Sequence, residues 1–370
     1  MKLCIISNIA PLYRKGIFMQ IDKNFSVDWF FGDNIRGANT IKRISLDEFS
    51  NAKTLKTSQL CSLLWQENIL KLIRNNKYDV FLMLGEPYYI STWIGMLYKK
   101  IFSPRKRIYL WSHGWYGREN CIKKYIKRCF FGIADGTFLY GNYAKNIAIK
   151  QGNNPEKLWV IHNSLDYSKH IEIRSKLKSS NIYKDYFQNN YHTLIFIGRL
   201  TRTKKLNILI EAVHRLQNQG EIYNLVFVGD GEERSALEQL AHETKIPVWF
   251  YGSCYDDDIN AKLIYNADLC ISPGNVGLTA IHTMTFGTPV ITHSNLKNQM
   301  PEFEAVIPGK TGDFFMEDSV ESLSSAISHW FSNNLDRNLI RHNCQVEIDN
   351  NWNPDYQIGV LKDILKKQEA

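Results

Sequence analysis

Residues 192–213, HTLIFIGRLTRTKKLNILIEAV, contain the pattern that decides the fold. An apolar run of strand length ends at Gly198, a short basic loop follows, and an apolar pattern with helical spacing begins at Leu206. Residues 224–241, NLVFVGDGEERSALEQLA, repeat the order of strand, glycine turn and helix. Residues 267–293, ADLCISPGNVGLTAIHTMTFGTPVITH, continue with strand, loop, helix and strand. This alternation predicts a parallel sheet that helices cover on both faces.

The first half of the chain alternates in the same way. Its strand candidates are KLCIIS (2–7), VDWFFG (27–32), DVFLML (79–84), RIYLWS (107–112), GTFLYG (136–141) and KLWVIHNS (157–164). A chain of 370 residues is too long for one compact core. We therefore predict an α/β protein with two Rossmann-like, doubly wound domains, 1–170 and 191–351, that face each other across a cleft. The polar segment 171–190 is the predicted linker, and a last helix in 352–370 is a candidate to cross back onto the first domain.

The composition is that of a folded soluble protein, with 44% apolar and 22% charged residues. The seven cysteines are odd in number and scattered, which argues against a disulfide framework and against a zinc site. The amino terminus lacks the pattern of a signal peptide, and no segment approaches the roughly 18 uninterrupted apolar residues of a membrane span. We expect a cytoplasmic protein that is neither exported nor integral to a membrane.

The net charge of +8 is concentrated in residues 99–128. Ten lysines and arginines stand there against the single acid Glu119, and aromatic residues are interleaved with them: Tyr109, Trp111, Trp115, Tyr116, Tyr125 and, just beyond, Phe130 and Phe131. Basic segments with aromatics are typical of surfaces that lie on anionic bilayers, although a solvated helix face is the plainer reading. Because the run matches none of the usual nucleic-acid modules, we expect no nucleic-acid partner.

Two cations flank the start of the helix in the opening segment. Arg199 follows the end of the strand at once, and Lys204 lies five residues later, just before the helix. This order aims two cations and a helix amino terminus at one point, which is what a diphosphate requires. The alternative is that both residues merely cap surface loops.

The three segments, in this order and spacing, resemble the donor-binding domain of retaining glycosyltransferases with the GT-B fold, specifically the large family 4. The motifs that carry the resemblance are Gly198-Arg199-Leu200 with Lys204, Val228-Gly229-Asp230-Gly231 with Arg234, Ala267-Asp268 with Pro273, and Gly287-Thr288-Pro289-Val290-Ile291. Weaker matches are WSHGW (111–115) and VIHNSLD (160–166) in the first half. Each motif alone is unspecific, whereas the ordered set is highly specific.

The resemblance implies transfer of a hexose or hexose derivative from a nucleotide diphosphate sugar, with a UDP-sugar favoured and a GDP-sugar as the alternative. It implies catalytic roles for Arg199 and Lys204, which would hold the diphosphate without a metal or other cofactor, and for His113, near the donor sugar. The implied donor-binding residues are Gly198, Gly277, Leu278, Thr279, His282 and Glu302, and Gly16 is a candidate phosphate-loop residue.

The chain departs from the family pattern at two positions. The family has two glutamates, separated by seven residues, where this chain has Gly274 and His282. A neutral imidazole can accept a hydrogen bond from a ribose hydroxyl, so His282 is the expected replacement for the second glutamate. Glu302 is the candidate for the donor sugar in place of the first. The plainer readings are a core histidine at 282, a helix-start carboxylate at 302 and a histidine satisfied among aromatics at 113.

The basic aromatic segment suggests a saccharide acceptor that is lipid-linked, through undecaprenyl diphosphate, and met at the inner face of the plasma membrane. Bacterial capsule or O-antigen assembly is the pathway that fits. One alternative is a GT-B epimerase or hydrolase that acts on the nucleotide sugar alone. The other is a nucleotide-sugar-binding scaffold protein in which the loss of both carboxylates ended catalysis.

Overall fold

The computed structural model describes residues 1–33, 41–333 and 336–366. Contacts between Cα atoms divide the chain into two compact units. The first unit is Met1–Asp166 together with the described residues from Asn353 onward, and the second is Tyr167–Trp352. Among the described residues, no helix is both long enough and apolar enough to cross a membrane.

The first unit is built on a seven-stranded parallel sheet with the order β3-β2-β1-β6-β7-β8-β9. Its elements, in chain order, are β1 Leu3–Ser7, α1 Lys15–Asn24, β2 Val27–Gly32, β3 Ala52–Leu55, β4 Thr57–Leu60, β5 Leu63–Gln66, α2 Ile69–Arg74, β6 Val80–Leu84, α3 Ile90–Phe102, β7 Arg107–Ser112, α4 Cys121–Ile133, β8 Gly136–Leu139, α5 Asn142–Lys150 and β9 Leu158–Val160. Strands β1 and β2 are buried along their whole length, because helices cover both faces of the sheet. The sequence analysis did not identify β3 or the antiparallel hairpin β4–β5.

The second unit has a six-stranded parallel sheet with the order β12-β11-β10-β13-β14-β15. Its elements are α6 Tyr167–Lys176, α7 Ile182–Phe187, β10 Thr193–Ile197, α8 Leu206–Asn218, β11 Asn224–Val228, α9 Arg234–Thr244, β12 Val248–Gly252, α10 Asp257–Asn266, β13 Leu269–Ser272, α11 Leu278–Thr285, β14 Val290–His293, β15 Gly312–Phe315, α12 Val320–Ser332 and α13 Arg337–Asn351. Every strand candidate of the second half forms a strand at its predicted place. The prediction of two doubly wound α/β domains is confirmed.

The segment 171–190, predicted as a linker, carries the end of α6 and all of α7. Both helices contact α10, and the buried Tyr183 donates from its hydroxyl to the carbonyl of Leu263 at 2.7 Å. A polar composition hid these helices, because only a few of their side chains point into the unit.

The last helix, α14 Pro354–Lys366, packs against α1 and therefore belongs to the first unit. Its anchor is Gln357, whose side chain is fully buried. The Gln357 amide nitrogen donates to the carbonyl of His162 at 2.8 Å, and its amide oxygen accepts from the hydroxyl of Ser164 at 2.6 Å. One amide thus satisfies two buried polar groups just after β9.

We expect Gln357→Ala to destabilise the first unit by about 2 to 4 kcal/mol, since it removes the amide that bonds the buried Ser164 hydroxyl and the His162 carbonyl and opens a cavity. Hydrogen exchange would show faster exchange of peptides from β1, α1 and β9, with β10–β14 unchanged. Asp363→Ala, on the exposed side of the same helix, is the control. Equal loss of protection in both units would contradict this local role.

Candidate functional site

The loop 198–205 leaves the carboxyl end of β10 and leads into α8. Its start is fixed to the neighbouring strand loop, because the amide of Gly198 donates to the carbonyl of Val228 and the amide of Leu200 to that of Asp230, both at 2.9 Å. Arg199 lies between these anchors and is exposed, and its side chain forms no hydrogen bond or ion pair with any described residue. A guanidinium placed this way is available to an anionic ligand.

Three glycines allow backbones to meet around this loop. A Cβ at Gly229 would lie 1.8 Å from the carbonyl oxygen of Gly198, and one at Gly231 would lie 2.2 Å from that of Leu200. On the other side of the loop, a Cβ at Gly274 would lie 2.1 Å from the carbonyl oxygen of Thr203. Any side chain at these positions would therefore displace the loop. The glutamate that the family pattern has at position 274 has no room in this structure.

Lys204 is held against the residue that follows Gly274. Its ammonium donates to the carbonyl of Asn275 at 2.6 Å and to the side-chain oxygen of the same residue at 2.9 Å. The amide of Gly274 in turn donates to the carbonyl of Lys204 at 3.0 Å. Burial lowers the pKa of Lys204, and the nearby carboxylate of Glu302 opposes that effect. The charge is thus fixed in place and only partly hydrated.

The side chain of Gln299 holds the loop between β13 and α11 in place through hydrogen bonds. This buried side chain accepts from the amide of Val276 at 2.9 Å and donates to the hydroxyl of Thr292 at 2.8 Å and to the carbonyl of His293 at 2.9 Å. Gly277 follows with φ near 53°, a conformation that favours glycine. Helix α11 then begins at Leu278, and the hydroxyl of Thr279 donates to the carbonyl of Ile197 at the end of β10, at 3.1 Å.

The amino terminus of α11 therefore lies beside the end of β10. The first amides of a helix have no partners within the helix, and the helix dipole adds partial positive charge there. The structure brings together the predicted residues Gly198, Arg199, Lys204, Gly277, Leu278 and Thr279 at the carboxyl edge of the second sheet. Ligands of doubly wound sheets bind at that edge.

His282 is partly exposed and packs against other rings of the second unit. Its ring stacks on that of His170 from α6, with centroids 5.3 Å apart, and contacts Phe286. Burial, with His170 as a lesser cause, lowers the pKa of His282 to about 3, so the ring is neutral. Its Nε2 atom is buried and has no hydrogen-bond partner among the described residues. Only the Nδ1 side is left for a ribose hydroxyl.

Glu302 lies in the short 3-10 helix Pro301–Ala305 and is 1% exposed. Its carboxylate lies close enough to Lys204 to oppose the lowering of the pKa of that lysine by burial. The side chain is thus part of the buried support of the loops. Glu302 therefore lies near the site, but its carboxylate is hardly accessible to a ligand.

His113 and Gly16 belong to the first unit. His113 follows β7, with its ring 4.7 Å from that of Tyr140 and its Nδ1 atom buried without a partner among the described residues. Burial, followed by the charges of Arg14 and Lys127, lowers the pKa of His113 to about 4. A Cβ at Gly16 would lie 2.8 Å from the carbonyl oxygen of Leu165. The chain's own backbone therefore already requires glycine at position 16.

Two functional positions were missed by the sequence analysis. Asn275 stands one place after the position of the absent glutamate, and it is the polar residue of an otherwise uncharged loop, which was the signal available. Gln299 has no sequence signal, because nothing in its surroundings predicts that it reaches the loop 274–277. In the described part of the chain, no three His, Cys, Asp or Glu side chains are grouped so that they could hold a metal ion.

Comparison with known proteins agrees with this architecture. Residues 180–345 match the family model described as Glycosyl transferases group 1. The chain is 34% identical over 101 residues to the GDP-mannose-dependent alpha-(1-6)-phosphatidylinositol dimannoside mannosyltransferase of Mycobacterium tuberculosis, a stretch that covers 26% of each protein. The matched stretches span 26% to 35% of the lengths of this relative and of another curated glycosyltransferase.

Two solved structures resemble the chain along nearly its whole length. Anabaena HepE in complex with UDP superposes with a TM-score of 0.73 at 16% identity, covering 99% of this chain and 100% of HepE. The apo lipopolysaccharide outer core galactosyltransferase WaaB gives a TM-score of 0.72 at 14% identity, covering 99% of this chain and 100% of WaaB. Residues 180–345 thus match the glycosyl transferases group 1 model, and the chain shares the two-domain α/β fold, GT-B, of these two solved structures.

Proposed function

We propose that this protein is a family 4 glycosyltransferase that transfers a hexose or hexose derivative from a nucleotide diphosphate sugar to a saccharide acceptor, with retention of anomeric configuration. The observation that carries the proposal is the convergence of Arg199, Lys204 and the amino terminus of α11 at one edge of the second sheet. This arrangement supplies two cations and free amides to a diphosphate.

The proposed chemistry is electrostatic. Cleavage of the bond between sugar and phosphate builds negative charge on the leaving diphosphate, and preorganised cations stabilise that charge most where water is excluded. Lys204 is suited to this role because Asn275 holds its ammonium in place. In the retaining mechanism that the resemblance implies, the leaving phosphate itself accepts the acceptor's proton. The absence of a carboxylate at Gly274 is compatible with that mechanism, and the charge balance needs no metal.

A UDP-sugar is the favoured donor, because HepE has been seen with UDP and with UDP-glucose. The mycobacterial relative is named for GDP-mannose, so a GDP-sugar is the alternative. A binding protein without catalysis is the rival of another class, since the chain has no carboxylate at position 274 and its His282 stacks on His170. Binding of UDP-glucose without any release of UDP would favour that rival.

The proposed acceptor is lipid-linked, through undecaprenyl diphosphate, in capsule or O-antigen assembly at the inner face of the membrane. The support is a surface of the first unit that we call the α3–α4 surface, formed by exposed apolar side chains of these two helices and the basic residues beside them. Ile101, Phe102, Ile122 and Tyr125 are each between 66% and 71% exposed, and Ile94, Leu97 and Ile126 extend the same two helix faces. Amphipathic faces of this composition lie in the headgroup region of bilayers.

The side chains of this surface differ from those that the sequence pattern suggested. The aromatic residues Tyr109, Trp111, Trp115, Phe130 and Phe131 are buried in the core. Lys99 pairs with Asp135, Lys127 pairs with Glu119, and Lys106 donates to the carbonyls of Ile73 and Asn75. Lys100, Arg105 and Lys123 are exposed and available to anionic headgroups.

The diphosphate role predicts that Arg199→Ala and Lys204→Ala each lower turnover of UDP-glucose by about 2 to 4 kcal/mol of transition-state stabilisation. Release of UDP from UDP-glucose, with and without a saccharide acceptor and with and without EDTA, measures it. Arg202→Ala, exposed in the same loop, should leave the rate unchanged. Rates within threefold of wild type in both test variants would refute the clamp, and loss of activity in EDTA would refute metal independence.

The ribose role of His282 predicts that His282→Ala weakens UDP binding by about 1 kcal/mol, the typical contribution of one hydrogen bond. Calorimetric titration with UDP measures the change, and His242→Ala, an exposed histidine of α9, is the control. His282→Glu should restore part of the affinity. If His282→Ala lowers the unfolding temperature but leaves UDP affinity unchanged, the residue is a core histidine that stacks on His170.

The α3–α4 surface predicts binding to liposomes that contain phosphatidylglycerol, and release as salt is raised, since the attraction acts within about 8 Å at physiological ionic strength. Replacing Lys100, Arg105 and Lys123 by Gln should weaken sedimentation strongly, and Ile101→Ser with Ile122→Ser should weaken it further. The triple Gln variant of the exposed Lys53, Lys71 and Lys150 is the charge-matched control. Equal sedimentation of wild type with neutral and anionic vesicles, or none with either, would remove the support for a lipid-linked acceptor.

A further inference from the structure

Arg14 is a cation that has no anionic partner among the described residues. It stands between a 3-10 turn and α1 in the first unit, and its guanidinium lies over three aromatic rings, with centroid distances of 4.7 Å to Trp111, 5.3 Å to Tyr140 and 5.6 Å to Phe18. Its side chain forms no hydrogen bond or ion pair with any residue that the structure describes. Burial lowers the pKa of this guanidinium, and no carboxylate in the described part of the chain opposes that effect.

Other arginines that this chain withdraws from water have partners. Arg174 forms a two-pronged pair with Asp349, at 2.7 and 3.0 Å. Arg337 donates to the carbonyls of Gly287 and Ala267 at 2.6 and 2.7 Å, and Arg341 donates to that of Tyr265 at 3.0 Å. A guanidinium that is partly removed from water and lacks such partners costs stability, so it marks a place where a ligand supplies the missing acceptor.

Arg14 lies at the edge of the first sheet where a ligand is expected. It lines a narrow cleft with Ser7, Leu84 and Trp111, which stand at or beside the carboxyl ends of β1, β6 and β7. His113 follows β7 directly, and the charge of Arg14 contributes to the lowered pKa of that histidine, so the two groups are neighbours. The Nδ1 atom of His113 is also buried without a partner among the described residues.

The planar shape of the guanidinium restricts what Arg14 can bind. Its central carbon lies 4.7 Å from the ring centroid of Trp111 and 5.3 Å from that of Tyr140, and its N–H edge has no acceptor among the described residues. Phosphates and carboxylates present two oxygens that match this edge. A neutral sugar hydroxyl would leave the charge unbalanced.

Resting on the proposed function, we propose that Arg14 binds an acidic group, a phosphate or a carboxylate, carried by the saccharide acceptor. The donor diphosphate is an alternative source of the same chemistry, but the second unit already provides Arg199, Lys204 and the amino terminus of α11 for it. The acidic group then selects among acceptors, because those that lack it leave the Arg14 charge without a partner. Neutral His113 lies beside the same group.

The test is calorimetric titration of the full chain with four probes: UDP, glucose, glucose 6-phosphate and glucuronate, the three sugars with and without saturating UDP. We expect the wild type to bind glucose 6-phosphate and glucuronate about tenfold more tightly than glucose, as a charge-assisted two-pronged contact provides. Arg14→Gln should abolish this preference and leave UDP affinity unchanged. Arg43→Gln, an exposed arginine of the same unit, should behave as wild type.

Each other outcome decides the proposal. A wild type without preference for the acidic sugars overturns it, as does Arg14→Gln with the preference intact. Arg14→Gln that loses UDP affinity assigns the residue to the donor phosphate instead. If Arg14→Gln does not fold, Arg14→Lys carries the test: it keeps the charge but not the planar edge, and the preference should fall by about threefold or more. Failure of the proposed function looks different, because the wild type would then bind neither UDP nor UDP-glucose.

Discussion

The candidate site depends on close contact between backbones around the loop 198–205. Gly229 and Gly231 touch the loop from one side and Gly274 from the other, at distances that no Cβ could occupy. Because the loop is confined on both sides, the backbone that carries Arg199 and Lys204 is fixed in position. Lys204 is further held by its hydrogen bond to the carbonyl of Asn275. Fixed charges need no reorganisation when negative charge develops nearby, which is the property that electrostatic catalysis requires.

The same contacts explain why the turn after β11 contains two glycines, Gly229 and Gly231. Gly229 and Gly231 of the segment Val228-Gly229-Asp230-Gly231 admit the carbonyls of Gly198 and Leu200, which a side chain at either position would displace. Gly274 serves the same purpose opposite them, so its lack of a carboxylate is tied to the packing of the loop. The polar contact with the loop 198–205 is made instead by Asn275, one residue later, whose side-chain oxygen accepts a hydrogen bond from Lys204. The chain thus exchanges an acidic side chain for a closer approach of two backbones.

Much of the fold could be predicted because strand and helix periods are local properties of the sequence. The buried strands β1, β10 and β11 are nearly continuous apolar runs, and the loop cations Arg199 and Lys204 follow the end of β10. Gln357 could not be predicted, since its partners Ser164 and His162 lie in a distant part of the chain. Gln299 could not be predicted either, since its bond to the amide of Val276 depends on how the loop 274–277 folds over it. The helices in 171–190 were missed because Tyr183 makes its buried contact in an otherwise polar segment. His282 was identified by position, but its stacking on His170 depends on how α6 packs on α11.

The distribution of charge on the surface could not be predicted either, because the sequence shows how many charged residues there are but not which of them form pairs in the structure. Within 99–128, Lys99 pairs with Asp135, Lys127 pairs with Glu119, and Lys106 donates to carbonyl groups. The α3–α4 surface therefore carries fewer available positive charges, and more exposed isoleucine side chains, than the sequence suggests. Arg14 shows the reverse, since a single arginine in an unremarkable stretch becomes an unpaired cation once aromatic rings enclose it. Withdrawing an unpaired charge from water lowers the stability of the folded protein. Because ligands of such sheets bind at the carboxyl ends of the strands, an anionic ligand there can offset that loss.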